Sequence, residues 1–117
     1  MIKFGSVEHM AWWKISGKLT ENEVLSLGKD LSLLAEMTLD GEPDIRRYPT
    51  DKGNGGVGIQ VYFPWVESWM IIGTWPELNL IRIAMSTCAI EKFVPDKVGV
   101  FLELIIGPIR EKGFARW

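Results

Sequence analysis

The sequence predicts an α+β fold, a mainly antiparallel sheet that carries two helices on one of its faces. Helical spacing and strand alternation both occur, so neither an all-α nor an all-β chain fits. The strand-like segments follow one another across short turns, which favours antiparallel pairing and a two-layer sandwich. With 117 residues, 47% hydrophobic and 24% charged, and no low-complexity tract, the chain suits one domain with a real core.

The elements follow in order. VEHMAWWKIS (7–16) is aromatic-rich and suits a first strand, ended by Gly17, with His9 packed in or beside it. TENE (20–23) fits a capping box in which Thr20 caps a helix and Glu23 reaches back. Val24, Leu27, Leu31, Leu34 and Ala35 then recur at helical spacing, carrying the helix to about Met37, with Gly28 marking close packing on the sheet. LDGEPD (39–44) is turn chemistry, and DIRRYP (44–49) reads as a short polar strand near an edge.

From Val57 the alternation sets Ile59, Val61 and Phe63 on one side and Gly58, Gln60 and Tyr62 on the other. Pro64 is expected to interrupt that strand, and another runs from about Ser68 to Thr74. LNLIRIAMSTCA (78–89) alternates again, with Arg82, Ala84, Ser86 and Cys88 sharing a face. VPDKVGVFLELII (94–106) makes the second helix, stopped by Gly107-Pro108, and REKGFARW (110–117) can add a last strand.

Composition narrows the partners. A net charge of -2 gives no electrostatic reason to expect nucleic acid or an anionic membrane. The longest apolar run, 98–107, is broken by Glu103 and too short to span a bilayer, and 1–13 has no continuous apolar h-region. The single Cys88 excludes an internal disulfide and fits a reducing compartment, so a soluble cytoplasmic protein is expected. His9 is the sole histidine, leaving little material for a metal site or a Ser-His-Asp triad; no metal is expected. GNGGVG (53–58) has the letters of a dinucleotide loop, but a strand rather than a helix follows it, so it reads as a plain hairpin loop.

Ser68 has more to offer. Placed directly after Glu67 on a strand leaving a tight turn, it is either an ordinary strand residue or a nucleophile. Its hydroxyl can attack the Glu67 carbonyl, and ester formation, β-elimination to a dehydroalanine and hydrolysis with loss of ammonia leave a pyruvoyl group. Such a group forms a Schiff base with a substrate amine and accepts the electrons released as carbon dioxide departs. That chemistry needs oxyanion donors, a base, and an acid for the product carbon.

The run Glu67-Ser68, then Thr74-Trp75-Pro76-Glu77, then Thr87-Cys88, resembles the prokaryotic S-adenosylmethionine decarboxylases. Their pattern is approximately E-S-H-L-[ST]-I-H-T-W-P-E, with T-C closing eleven residues further on, and the spacing matches without gaps; residues 56–88 carry the resemblance. It implies a decarboxylase-like two-layer sandwich, pyruvoyl formation at Ser68 after attack on Glu67, and Cys88 as the acid that protonates the product carbon. It further implies Glu77 on the ribose hydroxyls of the substrate, and dimers in polyamine synthesis with sites shared between protomers.

The departures fall on the chemistry. The self-processing histidine of the family corresponds to Gly73, the histidine after the reactive serine to Trp69, and a serine of the preceding strand to Gly58 or Gln60. The leading expectation is therefore a relative that does not self-process and needs no cofactor. It would bind a nucleoside, such as an S-adenosylmethionine-like small molecule, through Glu77 and the aromatic faces of Trp75 and Trp69, unless Trp69 fills the vacated histidine pocket. It would pair with itself or with an active paralogue. The alternative is an active lyase with pyruvoyl from Ser68, using Glu67 and Cys88.

Overall fold

The computed structural model describes residues 9–49, 57–87 and 95–116; the glycine-rich loop and Cys88 lie outside them. Strand β1 (His9–Ser16) leads through Gly17 to helix α1 (Glu21–Leu34), whose start follows the sequence signal. Thr20 Oγ1 accepts from the Glu23 amide at 3.2 Å, and the Glu23 carboxylate accepts from the Thr20 amide at 2.9 Å, a complete capping box. Strands β2 (Asp44–Pro49), β3 (Val57–Trp65) and β4 (Ser68–Trp75) follow, then a 3₁₀ turn at Pro76–Leu78 and β5 (Leu80–Thr87). Helix α2 (Pro95–Ile105) and β6 (Ile109–Arg116) complete the order, so the expected terminal strand forms.

The helix α1 stops short of Met37. Glu36 turns to φ 55°, its amide donates to Leu33 O, and the Met37 amide donates to Ser32 O. This is a Schellman ending with glutamate where glycine is usual, which is why no glycine announced it.

Pro64 does not interrupt β3, which runs through to Trp65. The Pro64 carbonyl accepts from the Asp40 amide at 2.7 Å, so the proline's ladder positions face the β2 side. There β2 has already ended, at the Asp44–Tyr62 pair, and no ladder bond is lost.

Six strands form one sheet in the order β2-β3-β4-β5-β1-β6, antiparallel in every pair. As the fold predicted, both helices cover one face. Phe63, Met70, Ile72, Ile83 and Met85 are fully buried there together with Leu31 and Leu102 from the helices. Burying each such side chain contributes roughly 1.5–3 kcal/mol. Gly28 packs directly on the Phe63 ring. Inside the core one polar chain is complete: Trp65 Nε1 donates to Ser32 Oγ at 2.9 Å, and Ser32 Oγ donates to Gly28 O at 2.7 Å. The opposite face of the sheet carries no described helix, and the candidate site lies on it.

Candidate functional site

Register builds the site row by row. Gln60 pairs with Gly73, Gly73 with Arg82, Arg82 with Lys14, and Lys14 with Glu111, so five strands contribute to one transverse line. Side chains alternate along a strand, so every member of this line points away from the helices. The adjacent line runs Tyr62, Ile71, Ala84, Trp12, Gly113, and the next places Trp69 beside Ser86 and Met10. A polar row thus borders two apolar ones.

Small residues in these rows open a hollow. The Trp75 indole leans over Gly73, where an added Cβ would stand 3.0 Å from its ring atoms. Trp12 lies across Gly113 in the same manner. Between these indoles and Trp69 is a cavity of about 510 Å³, floored by Gly73 and Ala84. That is within the range of small-ligand pockets. Trp69, half-buried, lines this cavity and does not fill it.

The charges on the cavity are unequal. The Lys14 ammonium lies 3.5 Å from a Glu111 oxygen and 5.8 Å from the Trp12 ring centre. The Arg82 guanidinium sits 5.2 Å from the Trp75 ring centre and makes no ion pair with any described residue. The outward position of Arg82 was legible from the alternation of 78–89. Its meeting with Lys14, Glu111 and Trp12 was not, because periodicity assigns a face and not a neighbour.

Trp75 has a second role. With Glu77, Tyr48 and Thr74 it lines an adjacent cavity of about 340 Å³. Glu77 is exposed on the 3₁₀ turn. The structure therefore brings Trp75 together with Glu77 on one side and with Trp69 on the other, while Glu77 and Trp69 line different cavities.

At the β3–β4 hairpin, Glu67 stands in the turn at φ 61° and Ser68 opens β4. Ser68 shares the helix side with Met70, and its Oγ is shut off from solvent with no hydrogen-bond partner. Gly73 is five residues further along the same strand and on the opposite face, so within one protomer the two positions do not meet. Cys88 lies outside the described residues. Among the described residues no three His, Cys, Asp or Glu side chains cluster as a metal site, and no helix is long and apolar enough to cross a membrane.

The architecture defines an α+β sandwich with one helix-covered and one open sheet face. Among solved structures it is similar to the adenosylmethionine decarboxylase from Aquifex aeolicus VF5, with a TM-score of 0.60 over 95% of this chain and 87% of that one. Sequence identity is 15%, so the likeness is one of fold. No family profile and no curated protein matches the chain.

Proposed function

We propose that this protein is a non-catalytic relative of the S-adenosylmethionine decarboxylases, a regulatory or ligand-binding protein linked to polyamine metabolism. It keeps the Glu67–Ser68 bond intact and needs no pyruvoyl group. A nucleoside ligand of the S-adenosylmethionine kind stacks on Trp75 and Trp69, and Glu77 is available to ribose hydroxyls. The working unit is a cytoplasmic homodimer, or a pair with an active paralogue, joined through a sheet edge or face.

One observation carries this reading: the place matching the family's processing histidine is a glycine roofed by the Trp75 indole. The row through it offers an amide, a guanidinium, an ammonium and one carboxylate already bound by that ammonium. An indole gives up no proton and a guanidinium keeps its own, so neither shuttles one. A second copy would bring the same glycine. Losing a general acid-base group costs about 10²–10⁴ in rate, and losing an oxyanion donor about 10²–10³. A slow self-cleavage does not survive both losses. Intact-mass measurement on purified protein tests this. One species at 13.3 kDa is expected, and two fragments divided between Glu67 and Ser68 would overturn the reading.

A specific feature favours the enzyme instead. Ser68 Oγ has no partner to leave before attacking, and Glu67, whose carbonyl it would attack, is held in the left-handed region. That conformation costs a non-glycine residue about 1–2 kcal/mol, strain that cleavage would release. In this second reading the protein is a pyruvoyl-dependent decarboxylase of spermidine synthesis with Cys88 as proton donor, and the same mass measurement decides.

A further inference from the structure

We infer that the open-face cavity selects an anionic nucleoside, a nucleoside monophosphate, with Arg82 as the group that binds the phosphate. The inference rests on the nucleoside reading above, replaces its sulfonium ligand by an anionic one, and moves the base from Trp75, which contacts Arg82, to Trp12. Two cations and one carboxylate line the cavity, and the carboxylate, Glu111, is engaged by Lys14 at 3.5 Å. Among the described residues no acid pairs with the Arg82 guanidinium. Its contact with the Trp75 ring, 5.2 Å from the centre, steadies its position and leaves its charge uncompensated. The net charge of the whole chain is negative, so this local excess of positive charge is not a consequence of composition.

The same charges weigh against a sulfonium. A cationic ligand would meet Arg82 and Lys14 with no free carboxylate in the cavity to oppose it, since Glu77 lines the neighbouring one. A phosphate meets a planar fork of donors that matches its oxygens in pairs. The geometry also suits the rest of a nucleotide. Trp12 stands one row away from Arg82 along the sheet, about 7 Å at 3.3–3.4 Å per residue. A base stacked between Trp12 and Trp69, above the low floor of Ala84, would thus place its phosphate toward Arg82. Gln60, at the other end of the polar row, offers an amide that both donates and accepts.

The test is calorimetric titration of the full chain with AMP, adenosine and S-adenosylmethionine, on wild type, Arg82→Gln and Arg82→Lys. AMP should bind at least tenfold more tightly than adenosine, since a charge-assisted hydrogen bond supports that margin. The margin should shrink with added salt. Arg82→Gln should erase it by weakening AMP at least tenfold more than adenosine, and Arg82→Lys should keep part of it. Arg82 is exposed, so these variants should melt like wild type. Equal affinity for AMP and adenosine, an AMP preference that survives Arg82→Gln, or tighter binding of S-adenosylmethionine would each overturn the anion inference while the nucleoside reading stands. Absence of binding by all three would remove the nucleoside reading together with it.

Discussion

Gly28 sits where α1 meets the sheet, and two effects compete there. Alanine would gain about 1 kcal/mol of helix propensity. Its methyl group, however, would overlap the Phe63 ring, which is fully buried and has nowhere to go. Overpacking of that kind costs about 1–3 kcal/mol, so Gly28→Ala should lower Tm despite its better propensity. Phe63→Leu introduced alongside should recover part of the loss, and calorimetric melts of the two variants show whether they couple. The sequence told of close packing at Gly28 because a glycine inside a helix needs a reason. It was silent about Glu36, where a glutamate takes a glycine's conformation because the backbone bonds to Ser32 and Leu33 outweigh its strain.

The first turn of α1 joins two elements through charge. Arg47 on β2 donates twice to Glu21, at 2.6 and 2.8 Å, and this hydrogen bonding holds the Glu21 carboxyl below its usual range. The Thr20 backbone amide, and then its side chain, do the same for Glu23. A carboxylate whose folded pKa is depressed stabilises the fold above its ordinary titration range and loses that contribution as pH falls through the depressed value. Wild type should therefore melt above Glu21→Gln at pH 7, and the gap should close as pH is lowered below about 4, the ordinary glutamate range. A gap that does not narrow as pH falls below that range would contradict this account. Elements of this kind were legible from capping letters and periodicity. Pro64 was not, because tolerance of a proline depends on whether the neighbouring strand has already ended, and that is a fact of pairing.

Taken whole, the molecule has a helix-covered face and a face where Trp12, Trp69, Trp75, Tyr62 and Ile71 are only partly covered. If a second copy lies on that face, light scattering should give twice 13.3 kDa. Ile71→Glu, which sets a charge in the middle row, should then give a folded monomer. A monomeric wild type would remove the pairing. The order of strands was beyond the sequence: β1 lies between β5 and β6, partners from the far half of the chain. With the order hidden, so was the line from Gln60 to Glu111, whereas Trp75 and Glu77, which line one cavity, are already two residues apart in the sequence. That line has a consequence for folding. A one-residue slip of any single strand would turn its contribution to the other side, so the proposed binding would be all-or-none with native alignment. A nucleotide bound as proposed would touch β1, β4 and β5 at once, strands from both halves of the chain. Its protection against heat should grow with the logarithm of its concentration, and no partly assembled sheet should share in it.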